Sequence, residues 1–152
     1  MKPIITIAVV SILGMASAAI AEKPIRKSEM PPAVQKTADE QSAGATVRGY
    51  AKDVENGRVE YEVELLVNGH TKDVTMDPQG RVIEIEEQVE MASLPVGVRE
   101  ALQKRATSGK IVKVESLTKH GSLVAYEAQV VKDSRHFEVQ VGPQGQTLDH
   151  EE

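Results

Sequence analysis

Carboxylates are the residues of this sequence whose number and spacing could do chemistry. Glu60, Glu62 and Glu64 alternate along one stretch, and Glu84 and Glu86 repeat the alternation further on. Grouped carboxylates can act as acid and base, bind calcium, or attract a basic partner. We take these five glutamates as a candidate partner-binding face. An ordinary solvated strand face and weak calcium binding stay open as alternatives.

Other chemistry finds little support in the residues. The sequence has no cysteine, which excludes disulfides, thiol catalysis, Fe–S clusters and cysteine zinc sites. Its four histidines are scattered and none belongs to His-Glu-x-x-His, so we predict no metal site. Nucleophile elbows, phosphate loops and dinucleotide fingerprints are also absent. We therefore predict a protein that is not an enzyme and needs no cofactor. A carboxylate hydrolase would need two acids in different environments, and the sequence shows no such pair.

The composition is that of a globular chain with a local excess of acid. Among 152 residues, 27% are charged and 40% hydrophobic, and the net charge is −5. A mildly acidic balance argues against nucleic acid as a partner. Residues 49–91 carry four basic and eleven acidic residues, whereas residues 92–152 carry eight of each. A protein or peptide partner would therefore find the charge in the first of these two segments.

The N-terminus is typical of an export signal. Lys2 precedes a mostly apolar run, and Ala19-Ile20-Ala21 offers small residues for cleavage near Ala21. We predict a signal peptide over residues 1–21 and a flexible leader over residues 22–29. The mature chain would then be periplasmic or secreted in a bacterium, with membrane contact only through the signal segment if it stays uncleaved.

An internal repeat organises the rest of the chain. Asp77-Pro78-Gln79-Gly80 matches Gly142-Pro143-Gln144-Gly145 at an offset of 65 residues. Tyr61-Glu62 matches Tyr126-Glu127 at the same offset. We predict a tandem duplication, with one copy over residues 30–91 and the other over residues 92–152.

Each copy is expected to begin with a helix. In the first copy, Pro31 and Pro32 suit a helix start, Val34 and Ala38 share a face, and Gly44 suits a stop. In the second copy, Ser93 is a candidate cap and Gly109 a stop. The apolar stripe of this second helix consists of Val98, Ala101, Leu102 and Ala106.

Period-two alternation then predicts strands. Apolar residues from Val59 to Val67 alternate with the glutamates Glu60, Glu62 and Glu64, so one face is apolar and the other charged. Asn-Gly, His-Gly and Pro-Gln-Gly turns separate the strands. A short segment, Gln146–Asp149, is all that remains for a fourth strand in the second copy. The fold class is therefore α+β: two tandem repeats of a helix plus an antiparallel β-meander, sharing a core or continued as one sheet.

The pattern resembles the PepSY domain and the related PepSY-like, β-lactamase-inhibitor-like proteins. The stretches that carry the likeness are 59–64 with 74–83, and 125–130 with 139–148. Asp77, Gly80 and Gly145 match the family's turn as fold residues, while Gly142 replaces its usual aspartate and the inhibitor branch's tryptophans are absent. The resemblance implies an exported, non-catalytic module with a protease-inhibitory or regulatory role. A calcium- or metal-responsive envelope protein is the alternative.

Overall fold

In the computed structural model, which describes residues 23–55, 57–150 and 152, a single antiparallel sheet carries two helices. The predicted signal segment and its cleavage site lie outside these residues. No helix within them has the length and apolar character needed to cross a membrane. The elements in chain order are β1 Lys23–Pro24, α1 Pro32–Gln41, β2 Thr46–Glu55, β3 Arg58–Val67, β4 His70–Met76, β5 Val82–Gln88, α2 Val96–Arg105, β6 Lys110–Lys119, β7 Ser122–Lys132 and β8 Arg135–Val141.

The eight strands lie in the sheet in their sequence order, each antiparallel to the next. The α+β class and the meander are therefore confirmed. Strands β5 and β6 pair from Glu84 opposite Lys119 to Gln88 opposite Glu115, and this pairing joins the two halves. Of the two expected arrangements, the continued sheet forms, because the halves pair strands rather than merge their cores.

Helix α1 covers the first half of the sheet. Val34 and Ala38 are fully buried on its inner side, as their spacing predicts. They pack with the inward residues of β3 and β4 in a core cluster that consists of Met30, Val34, Ala38, Tyr61, Val63, Leu65, Val74 and Met76. Strand β3 can serve this core because its apolar residues all point to one face.

Helix α2 covers the second half in the same way. Val98 and Leu102 are fully buried, and the partly buried Ala101 completes the predicted stripe. The second core cluster consists of Leu94, Val98, Leu102, Ala106, Val114, Ala128, Val130, Val139 and Val141. Strand registers place Val74 opposite Ile85 and Ile85 opposite Thr118, so both helices lie on the same face of the sheet.

Tight turns set the registers. Asn68 and Gly69 both adopt positive φ, at 51° and 87°, and His120 and Gly121 do the same, as in the turns that suit two-residue hairpins. Gly80 and Gly145 follow β4 and β8 and press against the helix starts. A Cβ on Gly80 would lie 2.5 Å from Ala33 O, and a Cβ on Gly145 would lie 2.4 Å from Gly97 O. Each of these glycines thus fixes one helix onto its half of the sheet.

Three local predictions differ from the structure. Ser93 does not cap α2: it lies in a preceding 3-10 turn and donates to Glu90 O at 2.7 Å, while Pro95 occupies the cap position. Residues 146–149 form no strand, although Gly142 N–H donates to Gln146 O in the same way as Asp77 N–H donates to Arg81 O before β5. The expected flexible leader is ordered from residue 23, since β1 pairs with β2 and Ile25 N–H donates to Tyr50 O at 3.0 Å.

The close approach of Gly80 to α1 makes a testable prediction. We expect Gly80→Ala to lower the free energy of unfolding by about 3 kcal/mol, because the methyl group meets Ala33 O and the backbone is left-handed. Gly69→Ala is the matched control: its φ is also positive, but open space surrounds it, so the cost should be about 1 kcal/mol. Urea unfolding of both variants measures the difference, and equal losses would contradict the contact.

Candidate functional site: an acidic sheet face

The side of the sheet that faces away from both helices is lined with carboxylates. In β3 and β5 these are the predicted glutamates, and in β4 the carboxylate is Asp73, which lies directly opposite Glu64 on one side and Glu86 on the other. Strands β6 and β7 add Glu115 and Glu127, which also lie directly opposite each other. We call this surface the acidic face and define it by Glu60, Glu62, Glu64, Asp73, Glu84, Glu86, Glu115 and Glu127.

The structure brings the five predicted glutamates to one face but not into direct pairing. Strand β4 separates β3 from β5, so Thr75 lies between Glu62 and Glu84. A depression of about 320 Å³ opens above this part of the sheet. Four of the five predicted glutamates line it, and Glu64 does not; the lining residues are Ala51, Asp53, Glu60, Tyr61, Glu62, Asp73, Thr75, Glu84 and Glu86.

Sequence reasoning missed three members of the acidic face: Asp73, Glu115 and Glu127. A signal for Asp73 was available, because the Asn68-Gly69 turn fixes the β3–β4 register and so places Asp73 opposite Glu64. Glu115 and Glu127 lie in the half of the chain that has no net charge. Only the pairing of β5 with β6 shows that they extend the same surface.

Asp73, Glu86 and Glu115 approach one another most closely, and we call them the carboxylate cluster. One carboxylate oxygen of each lies within 4.8 Å of the others. The side chain of Glu115 is only 5% exposed, and its Oε1 accepts no hydrogen bond. Lys113 Nζ lies 2.5 Å from that oxygen as an ion pair. The cluster thus contains three carboxylates and one ammonium.

Crowding and burial change the acidity of the cluster. Burial, together with the charges of Glu84, Glu115, Glu127 and Asp73, raises the pKa of Glu86 to about 8. Burial also raises the pKa of Asp73, against the opposing effect of the Lys113 ammonium. Glu86 therefore has a pKa near neutrality and lies in the middle of a surface of negative charge.

Lysines and an amide moderate the rest of the acidic face. Lys119 Nζ lies 3.5 Å from Glu84 Oε2. Gln140 donates to Glu127 Oε2 at 2.7 Å, and its own Oε1 accepts from the N–H of Glu152 at 2.9 Å. The three carboxylates of the cluster could in principle supply oxygen ligands to a divalent cation. The Lys113 ammonium, however, already lies at Glu115 Oε1, where such an ion would have to bind.

Comparison with solved structures places this fold in a class. A "putative periplasmic" protein of Bacteroides eggerthii is similar with a TM-score of 0.62 at 17% identity, over 77% of this chain and 84% of that chain. A DUF2874 family protein of Bacteroides ovatus has a TM-score of 0.61 at 21% identity, over 80% and 86%. A BLIP-like protein of Bacteroides fragilis has a TM-score of 0.57 at 18% identity, over 78% and 83%.

The chain therefore has a BLIP-like fold. These identities are too low to show more than the fold. The sequence matches no known family model, and no curated protein matches it significantly. The PepSY domain itself stays a prediction.

The Lys113 ion pair makes a testable prediction for the site. We expect Lys113→Met to lower the free energy of unfolding by about 2 kcal/mol, because it leaves the buried Glu115 carboxylate without its ammonium. Adding Glu115→Gln to Lys113→Met should recover most of that loss. Lys36→Met is the matched control, since it breaks an exposed ion pair with Glu40 and should change little. Urea unfolding of the unchanged chain and the three variants measures the loss and its recovery, and an unrecovered loss would contradict the pairing.

Proposed function

We propose that this chain is an exported, non-catalytic binding module that docks a basic protein or peptide on its acidic face. The observation that carries the proposal is the one-sided cover of the sheet. Both helices lie on the opposite face, so the acidic face has no helix of the described chain over it. A sheet face that has no helix over it and carries an excess of one sign of charge is suited to a partner of the other sign.

The charge of the acidic face supports a basic partner. Lys113 and Lys119 are the lysines that the described registers place among its eight carboxylates, and both already pair with members of that face. Docked lysine or arginine groups would relieve the remaining repulsion. Nucleic acid, with its phosphate backbone, would meet repulsion at the same surface.

The geometry of the carboxylate cluster favours binding over catalysis. A hydrolase that used Glu86 as its acid would need a second carboxylate in contact with the substrate. Glu115 is only 5% exposed and is paired with Lys113. Asp73 lines the depression beside Glu86, but burial raises the pKa of both carboxyl groups in the same direction, so they do not form an acid and a base of different strength. The role we propose for the cluster is therefore electrostatic.

Export and partner class rest on the sequence. The segment before Ala21 is typical of a signal peptide, so we propose a periplasmic or secreted location after cleavage there. The resemblance to PepSY-like and β-lactamase-inhibitor-like proteins favours tandem copies of one unit and a protein target. Within that class, we propose inhibition or regulation of a secreted or periplasmic protease, or a role as an envelope accessory protein.

Charge reversal tests the docking surface. We expect the triple variant Glu60→Lys, Glu62→Lys and Glu64→Lys to lose binding to a synthetic hexa-arginine peptide by at least about tenfold, because attraction becomes repulsion. Fluorescence anisotropy of the labelled peptide at low salt measures the affinity. Raising the ionic strength should weaken binding to the unchanged chain as well.

A matched variant controls for net charge. Glu40→Lys, Glu87→Lys and Glu100→Lys change the total charge equally, but Glu40 and Glu100 lie on the helices and Glu87 lies on the helix side of β5. This control should keep most of the affinity. Equal losses in the two triple variants would contradict docking on the acidic face.

The inhibitory role has its own measurement. The purified chain should lower casein hydrolysis by periplasmic extract, and the triple variant of Glu60, Glu62 and Glu64 should not.

A metal titration distinguishes our proposal from the calcium- or metal-responsive alternative. Isothermal titration of chelated protein with Ca²⁺ or Zn²⁺ would give saturable heat if that alternative held. We expect no such heat at millimolar metal, because the ammonium of Lys113 already lies at Glu115 Oε1. Saturable binding that Glu115→Gln removes would overturn our assignment and support the alternative.

A further inference from the structure

We infer that Glu86 holds a proton within the carboxylate cluster at neutral pH, and that a cationic segment docking on the acidic face displaces this proton. The inference rests on the proposed function and deepens it. It names the group whose charge state sets the affinity. Binding would then strengthen as the pH rises. An arginine-rich partner keeps its own charge throughout, so this pH dependence would come from Glu86.

The geometry places Glu86 among negative groups from every strand that packs near it. On β4, Asp73 lies directly opposite, and on β6, Glu115 lies one diagonal step away. The other facing groups are Glu84 on β5 itself, Glu62 and Glu64 on β3, Glu127 on β7, and the cations Lys113 and Lys119 on β6.

The carboxylate cluster holds more negative groups than close cations. Its close ammonium, Lys113 Nζ, lies 2.5 Å from the buried Oε1 of Glu115, and ionised carboxylates can only accept hydrogen bonds. A protonated Glu86 would bring an O–H donor into the same cluster, whose oxygens already lie within 4.8 Å of one another. The acidity of Glu86, with a pKa near 8, agrees with this arrangement.

Displacement follows from electrostatics. A guanidinium group placed beside Glu86 favours its ionised form and so lowers its pKa. Between the lowered pKa of the complex and the value near 8 of the free chain, binding must release a proton. Affinity should therefore rise by up to about tenfold per pH unit in that range, and level off above it.

The first experiment measures the proton without any partner. Carboxyl ¹³C NMR of the purified chain should show Glu86 titrating near pH 8, well above an ordinary glutamate. Unfolding gives a second measure. Because the folded chain binds this proton more tightly than the unfolded chain does, stability is lost as the pH rises from about 5 toward 8. The ratio of the unfolding constant of the unchanged chain to that of Glu86→Gln should rise across this range.

Glu87→Gln is the matched control, because it removes one carboxylate from the same strand on the opposite face, where Glu87 lies opposite Ser116. Its pH dependence should follow the unchanged chain. A Glu86 carboxyl that titrates between pH 4 and 5, or a Glu86→Gln variant that keeps the full pH dependence, would overturn the inference.

The second experiment measures displacement. Isothermal titration with hexa-arginine at pH 7, in phosphate and in Tris, should differ in heat because the two buffers take up the released proton with different enthalpies. The difference should give up to one proton for the unchanged chain and for Glu87→Gln, and close to none for Glu86→Gln. Binding with equal heats in both buffers would overturn the displacement.

The two experiments separate the possible failures. Glu86 titrating near pH 8 with no binding of hexa-arginine would overturn the proposed docking and the displacement, while supporting the bound proton. Binding to the acidic face together with an ordinary titration of Glu86 would support the proposed function and overturn this inference.

Discussion

Both helices of the described chain lie on the same face of the sheet, and the rest of the structure depends on that constraint. Period-two alternation gives each strand an apolar side and a polar side. The chain supplies two ten-residue helices, and the registers bring both to the apolar side. Each helix builds its own core cluster with its half of the sheet. The opposite side carries the carboxylates with no helix of the described chain over them, and Ala51, Leu117 and Ala125 are buried between them.

Strand order then decides which polar residues meet. Because β5 of the first half pairs with β6 of the second, Glu115 comes close to Asp73 and Glu86 although it lies far from them in the sequence. Like charges at such distances repel, and the fold responds in two ways. Lys113 supplies an ammonium to Glu115, and the pKa of Glu86 is raised to about 8. An added positive charge would therefore change the protonation of the acidic face most where β5 pairs with β6, beside Glu86.

Much of this architecture could be predicted from the sequence. The alternation in β3, the stripe of α2 and the Asn68-Gly69 turn are local patterns, and local patterns specify strands, helix faces and hairpin registers. The helix positions of Val34 and Val98 and the shared face of Glu60, Glu62 and Glu64 follow from them.

The parts that could not be predicted depend on contacts distant in the sequence. Nothing local indicates that β5 pairs with β6, so the sequence left a shared core and a continued sheet equally open. The same gap hid the carboxylate cluster, because its members come from three strands of both halves. The order of residues 23–25 was missed for a similar reason: their partners, Tyr50, Ala51 and Lys52, lie on β2.

The central claim is that the acidic face docks a cationic segment, and amide NMR mapping tests it most directly. Titration of ¹⁵N-labelled chain with hexa-arginine should shift the amide signals of β3, β4, β5 and β6 around Glu62, Asp73, Glu86 and Glu115. The signals of α1 and α2, on the covered face, should stay in place. Shifts concentrated on the helices, or none at saturating peptide and low salt, would contradict the account.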